Sequence, residues 1–354
     1  MATFKTHPIL APLAGLYGLA TGLRNKLFDA GWLRSESFDV PVICVGNLSA
    51  GGTGKTPHTE YLIRLLRTEH RVALLSRGYK RRSKGFVLAS AESTPQQLGD
   101  EPYQIWRKFP DIIVAVDGNR RRGIRRLLAL PERPDVILLD DAYQHRYVRP
   151  SLTLLLSDYN RPYYADHILP WGMLRESRSG ADRADVIVVT KSPAKLSPVE
   201  MRAIAEEIDR PQTPLFFSTQ AHPRELERVV DGVREALPPE TEVLLVTAIA
   251  RPESVEQYVA LKYRLGDTLF FADHHDFTDA DVRRISEIYN SLTNHRKAII
   301  VTEKDAVKLR QLPSVEALKE VLYFLPLEIN MLNNMTERFN QIITDHVTKN
   351  QRNS

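Results

Sequence analysis

The feature that most constrains this chain is the run Ser49-Ala50-Gly51-Gly52-Thr53-Gly54-Lys55-Thr56. An apolar strand, Val42–Val45, precedes it, and a helical stretch, Thr56–Arg67, follows. Backbone N–H groups in such a glycine-rich turn converge on phosphate oxygens. The helix N-terminus adds a favourable dipole. In a phosphate-binding loop Lys55 reaches the β- and γ-phosphates, and the Thr56 hydroxyl faces Mg²⁺. The pattern G-x-x-x-x-G-K-[ST] asks for glycine at position 49. Ser49 supplies the same N–H with less backbone freedom. ATP-type binding over Ser49 to Thr56 is the expectation.

A magnesium partner belongs at the end of another strand. Val136-Ile137-Leu138-Leu139-Asp140-Asp141 delivers two carboxylates where open α/β sheets bind ligands. One is expected to hold the ion, directly or through water, and the other to support the site. A guanine reader would need N-K-x-D, but Thr190-Lys191-Ser192-Pro193 lacks the carboxylate. Partition-type ATPases carry a signature lysine where this chain has Ala50.

The rest of the chain reads as alternating strands and helices. Val72–Ser76, Ile112–Val116, Leu152–Leu156 and Val186–Thr190 are short apolar runs of the doubly buried kind. A second series holds strands at Val243–Val246, Thr268–Phe271 and Ala298–Val301, with helices at Glu253–Tyr263, Ala280–Ser291 and Asp305–Arg310. The fold class expected is α/β. A P-loop NTPase-like domain with a mainly parallel sheet flanked by helices is joined to a smaller second α/β domain. The boundaries read as 1–36 for an amphipathic N-terminal segment, 37–212 for the first domain, and 213–240 for a linker. The second domain takes 241–320, and 321–354 supplies a return strand and a C-terminal helix. Pro214–Thr219 and Val321–Leu327 either pair as a connector or join the two sheets.

The apolar run Ile9–Leu23 is too short for a membrane span, which needs roughly 20 apolar residues. The segment Ile9–Leu33 places Ile9, Leu13, Leu16, Ala20, Leu23 and Leu27 three or four apart, as an amphipathic helix does. Such a helix packs on its own domain or lies in a membrane interface. The single cysteine, Cys44, excludes an internal disulfide and favours a reducing compartment. A net charge of +4 suits an anionic partner. Two basic runs stand out, Lys80-Arg81-Arg82-Ser83-Lys84 and Arg120-Arg121-Arg122 with Arg125 and Arg126. No nucleic-acid motif accompanies them, so nucleic acid is not expected as a partner. A solvated face, or attraction to anionic lipid or substrate phosphate, accounts for such runs.

Further motifs follow the loop in order: Ser76-Arg77-Gly78-Tyr79, Gly99-Asp100-Glu101-Pro102, Asp140-Asp141-Ala142-Tyr143-Gln144-His145, and Leu169-Pro170-Trp171-Gly172-Met173-Leu174-Arg175-Glu176. Phe271-Ala272-Asp273-His274 and Thr302-Glu303-Lys304-Asp305-Ala306-Val307-Lys308 close the series. With Gly46 to Pro57, the set resembles the tetraacyldisaccharide 4'-kinase family of lipid A biosynthesis over nearly the whole chain. The resemblance implies a kinase that moves the γ-phosphoryl group of ATP to the 4'-hydroxyl of a tetraacylated glucosamine disaccharide 1-phosphate, forming lipid IVA. It also implies Mg²⁺, and a peripheral position on the cytoplasmic face of the inner membrane. In that setting the N-terminal helix reads as a membrane contact.

The resemblance assigns roles as well. Asp100 matches the family's catalytic aspartate and takes the role of base. His274 matches its partner, with His275 one position away. Since Asp100 and His274 fall in different domains, a dyad between them would require domain closure. Lys55 completes the catalytic set. Thr56, Asp140, Asp141 and Glu101 are the metal candidates. Arg77, Gln144 and Arg175 are the substrate candidates, and His145 follows the acidic pair.

Overall fold

The computed structural model describes residues 6–249, 252–273 and 275–351. Fifteen strands run along the described chain. They are β1 Val42–Asn47, β2 Val72–Ser76, β3 Val87–Leu88, β4 Ile113–Val116, β5 Val136–Asp140, β6 Leu152–Asp158, β7 Val186–Thr190 and β8 Leu215–Ala221. Then come β9 Leu226–Arg228, β10 Arg234–Glu235, β11 Glu242–Thr247, β12 Arg264–Phe270, β13 Lys297–Thr302, β14 Leu322–Leu325 and β15 Glu328–Met331. The α-helices are α1 Ala11–Asp29, α2 Lys55–Leu66, α3 Pro95–Leu98, α4 Asp100–Lys108, α5 Arg120–Leu128 and α6 Pro198–Ile208. They continue with α7 Glu253–Lys262, α8 Asp279–Ser291, α9 Glu303–Leu309 and α10 Thr336–Gln351. The chain divides into two compact units, residues 1–220 with 329–354, and residues 221–328.

The first unit is built on a nine-stranded sheet in the order β15-β8-β7-β6-β1-β5-β2-β4-β3. Pairing from β8 to β4 is parallel, and β3 joins antiparallel at one edge. After β1 the chain builds outwards through β2, β4 and β3, and after β5 it builds the other way through β6, β7 and β8. The order reverses beside β1, which is where open α/β sheets leave a ligand crevice. Strands buried on both faces need apolar residues at every position, and β1, β2, β5 and β7 are buried throughout. On one face Leu62, Ile63 and Leu66 of α2 share a core with Ile43 and Val45 of β1 and Phe339 of α10. Each such fully buried side chain stabilises the fold by about 1.5–3 kcal/mol.

The second unit is a six-stranded sheet in the order β10-β9-β14-β13-β11-β12. Its four central and edge strands β14, β13, β11 and β12 are parallel. A short antiparallel pair, β9 and β10, finishes the other edge. Helix α8 starts at a reciprocal cap between Thr278 and Asp281.

One expectation changes and one open alternative closes. The stretch 213–240 is not a bare linker, because it carries β8, β9 and β10. Its prolines, such as Pro214, stand just outside the strands, where no ladder N–H is lost. Nor do Pro214–Thr219 and Val321–Leu327 pair with each other: β8 enters the first sheet and β14 the second.

Candidate functional site

The carboxyl ends of β1, β2, β5, β6 and β7 turn from apolar to polar at Asn47, Ser76, Asp140, Asp158 and Thr190. The loop after β1 crosses this edge. Gly51 and Gly54 hold φ of +124° and +83°, values that side chains with a Cβ rarely adopt. Gly54 is the N-cap of α2, so Lys55 opens the helix. The Asn47 amide donates to the Thr53 hydroxyl at 2.8 Å and fixes the turn from below. Gly46 permits close passage of Tyr143, whose Cβ would lie 2.7 Å from an added Cβ.

The adjacent carboxylates of β5 and its turn have different surroundings. Asp141 holds φ of +48°, which turns its side chain towards the loop. Its Oδ1 meets Lys55 Nζ at 3.5 Å and Arg175 at 3.0 Å. Burial works to raise its pKa, but these two cations outweigh burial and hold it below the usual value. Asp140 is buried, and its Oδ1 has no hydrogen-bond partner. Ser76 reaches its other oxygen at 3.5 Å. Burial, then the neighbouring Asp141 charge, pushes the Asp140 carboxyl up to about 6, with Glu101 adding to the rise and Lys55 and Arg120 opposing it. A carboxylate oxygen without a proton donor is costly to bury.

Asp100 is the first residue of α4, behind Gly99 at φ of +90°. Gly99 packs on the turn after β2, where an added Cβ would meet Gly78 Cα at 3.1 Å and Tyr79 carbonyl oxygen at 3.0 Å. The two glycines therefore let the 76–79 turn and the start of α4 touch through backbone. That contact brings Arg77, Asp100 and Glu101 to the same edge as Asp140.

The segment around 166–176 braces the loop from a third side. Ala50 N–H donates to the Met173 carbonyl at 2.7 Å, and Arg175 N–H to the Leu48 carbonyl at 2.8 Å. Glu176 is buried and accepts from Arg183 at 2.9 Å, Asn25 at 2.7 Å and Gln144 at 3.1 Å. Tyr17 of α1 donates to the Arg175 carbonyl. Buried Asp166, gripped by Arg161 through two bonds, anchors the segment's start.

Comparison with known proteins decides what this edge belongs to. The model of the tetraacyldisaccharide-1-P 4'-kinase family, LpxK, matches residues 6–348. The chain belongs to that family. A tetraacyldisaccharide 4'-kinase of Parabacteroides distasonis is 49% identical, with 98% of this chain and 96% of that one covered. One of Bacteroides thetaiotaomicron is 46% identical over 99% and 96%. A crystal structure of LpxK from Aquifex aeolicus in complex with ATP superposes with a TM-score of 0.77 at 28% identity, covering 96% of this chain and 99% of that one. The α/β class and the P-loop kinase fold expected from the sequence agree with these findings.

Within this LpxK family member, the structure brings Ser49 to Thr56, Asp140, Asp141, Glu101, Asp100, Arg77 and Arg175 to one sheet edge. Gln144 differs from expectation. Its amide donates to the Asn47 carbonyl at 2.8 Å and to Glu176, and it accepts from Arg175 at 3.4 Å. Both ends are used inside the protein, so it ties the loop's floor to the 166–176 segment and does not present a free amide to substrate. His274 lies outside the described residues. His275 is bound by Asp281 at 3.1 Å and stacks on Phe271.

The second basic run is not one free face. Arg120 is buried and donates to the carbonyls of Asp117 and Gly118. Arg122 chelates Asp117, and Arg125 chelates Glu36. Helical spacing sends successive arginines to different partners. Burial and the charges of Arg120, Arg121, Arg24 and Arg77 push His145 down to about 4. Sequence reasoning missed Ser76, His58, Thr190 and Lys191. Ser76 and Thr190 are polar residues closing buried apolar strands, which is the signal that could have found them.

Proposed function

We infer that this chain transfers the γ-phosphoryl group of ATP to the 4'-hydroxyl of a tetraacylated glucosamine disaccharide 1-phosphate, giving lipid IVA and ADP. Family membership over residues 6–348 carries the reading. The edge formed by Lys55, Asp140 and Asp141 supports it. The hydroxyl oxygen attacks the γ-phosphorus, the bond from the β,γ-bridging oxygen to that phosphorus breaks, and the hydroxyl proton goes to the Asp100 carboxylate. Phosphoryl transfer asks the protein chiefly for positioning and charge neutralisation. Lys55, steered by Asp141, faces the β- and γ-phosphates. Arg77 and Arg175 are proposed to meet substrate phosphate or sugar. His274 is proposed as the partner of Asp100 on the family motif alone.

Among the described residues no three or more His, Cys, Asp or Glu side chains gather as a metal cage. Mg²⁺ keeps water and phosphate oxygens and uses only one or two carboxylates, and the orphaned Asp140 oxygen fits that demand. Asp140 and the Thr56 hydroxyl would hold it, with Glu101 and Asp141 around them. When bound, the ion neutralises charge on the β- and γ-phosphates.

The membrane position rests on α1. No helix among the described residues is long and apolar enough to cross a membrane. Yet Ile9 is 89% exposed and Leu19 72%, with Leu13, Leu16, Leu23 and Trp32 also exposed. An apolar patch of this kind marks a contact surface, and an acylated substrate makes the cytoplasmic face of the inner membrane its natural partner. Leu19→Asp should reduce sedimentation with phospholipid vesicles several-fold. Unchanged sedimentation would refute the assignment.

The central test uses purified protein, γ-labelled ATP, Mg²⁺ and the disaccharide lipid in detergent. Label should pass to lipid, and Asp100→Ala should abolish the transfer. ATP hydrolysis with no labelled lipid would overturn the reading.

A further inference from the structure

Three consecutive carbonyls of the phosphate loop are each held by a side chain from behind. The Gly52 carbonyl accepts from Lys191 Nζ. The Thr53 carbonyl accepts from Thr190 Oγ1 at 2.8 Å. The Gly54 carbonyl accepts from His58 Nδ1 at 2.7 Å. These donors have no place in the transfer chemistry above.

Each donor is itself fixed. Lys191 sits just past β7 at φ of +55° and is gripped by Asp158 at 2.7 Å. Thr190 is fully buried at the end of β7. His58 lies one turn into α2, buried, with its second nitrogen 2.9 Å from Ser218 Oγ of β8. A carbonyl can only accept, so Nδ1 carries the proton and Nε2 accepts from the serine hydroxyl.

A trans peptide is planar, so the carbonyl of one residue and the N–H of the next point in opposite directions. Fixing the Thr53 and Gly54 carbonyls behind the loop turns the N–H groups of Gly54 and Lys55 to its front. Those N–H groups open α2, where no intrahelical acceptor exists for them. Fixing the Gly52 carbonyl sets the preceding peptide in the same row, whose Thr53 N–H leans on the Gly51 carbonyl at 3.2 Å.

We propose that His58 and Thr190 are positioning residues for the phosphate, acting by aiming the N–H groups of Gly54 and Lys55 at the anion, while Lys191 fixes the turn just before them. The proposal rests on the reading of residues 49–56 as the phosphate site. It gives β7 and β8 a part in the reaction although neither carries a transferred group. It also explains why an N-K-x-D-like position without its carboxylate retains the lysine: the ammonium serves the loop and not a base.

The experiment is calorimetric binding of Mg²⁺-tripolyphosphate, with circular dichroism to check folding. Tripolyphosphate has no nucleoside, so only the phosphate cradle is read. Asparagine places its amide nitrogen where histidine places Nδ1, while glutamine reaches only towards Ser218. His58→Asn should stay within about twofold of wild type and His58→Gln should weaken binding about tenfold, the worth of one well-placed hydrogen bond. A packing role would favour the larger glutamine. Thr190→Ser should bind like wild type and Thr190→Val, of equal volume, about tenfold more weakly. Equal affinity of the asparagine and glutamine variants, or no loss in Thr190→Val, overturns the proposal. Failure of the wild type to bind tripolyphosphate would instead overturn the phosphate-site reading beneath it.

Discussion

Beside the carboxyl end of each sheet sits a buried aspartate, and the two have opposite surroundings. Asp305, in the second unit, accepts from the Thr247 hydroxyl at 3.0 Å, the Ala248 N–H at 3.0 Å and the Thr302 hydroxyl at 2.6 Å. It lies in the first turn of α9, whose cap is Thr302, and clasps the ends of β11 and β13. Asp140, in the first unit, has one distant hydroxyl at 3.5 Å and an oxygen with no partner. A buried carboxylate short of donors is costly unless something else completes it. Similar parallel architecture thus holds a fully bonded carboxylate in one sheet and a poorly bonded one in the other. The satisfaction of the carboxylate tells them apart, and the fold does not.

The sharpest way to break this contrast is Asp140→Asn. Lipid phosphorylation should fall by about 10²–10³-fold, the scale for losing one electrostatic element of a reaction centre. Thermal stability should hold or rise, because a buried charge is removed. A melting temperature that falls together with activity would give Asp140 the same structural role as Asp305.

The next test is acidity. His58 and His145 each sit at about 4, against an ordinary value near 6.5. Both are neutral in the folded protein above that depressed value and become protonated on unfolding below about 6.5. The unfolded chain therefore binds more protons as pH falls from about 6.5 to about 4, and stability declines through that window. A shift of this size for His58 alone amounts to about 3 kcal/mol. Asp140, raised in the folded state, opposes the trend between its own two values. Comparing wild type with His58→Asn cancels that opposition. The variant should show a shallower loss in urea titrations between pH 6.5 and 4, and equal slopes would contradict the assignment.

The smallest expected effect is at Asp305. Asp305→Asn keeps one acceptor but loses the charge, and should cost about 2 kcal/mol of stability. Urea unfolding monitors this. Affinity for Mg²⁺-tripolyphosphate should not move, and a parallel loss of that affinity would erase the distinction drawn here.

Much of the first unit was legible because its signals are local. Apolar runs located the strands, and glycine spacing between β1 and α2 located the loop. Asp140 and Asp141 were visible as a pair, but their division of labour was not. That division depends on a positive φ at Asp141 and on Arg175, which lies 34 residues away in sequence. The arginines of α5 looked like one basic face, since their spacing alone does not show that nearby Asp117 and distant Glu36 each claim one. Gln144 looked available for the same reason: its partners Asn47 and Glu176 come from distant segments. His274 carries its proposed role on motif alone.

The chain leaves the first unit along β8 and re-enters it through β15, the strand next to β8. Leu332 N–H bonds the Phe217 carbonyl across that junction, and Phe339, Ile343 and Val347 of α10 fill the core under β1. A ribosome therefore finishes the second unit, an uninterrupted stretch, before it has made the last strand and helix of the first. The catalytic sheet stays incomplete at one edge until the final residues emerge. During synthesis the phosphate loop is written well before the strand and helix that complete its own sheet.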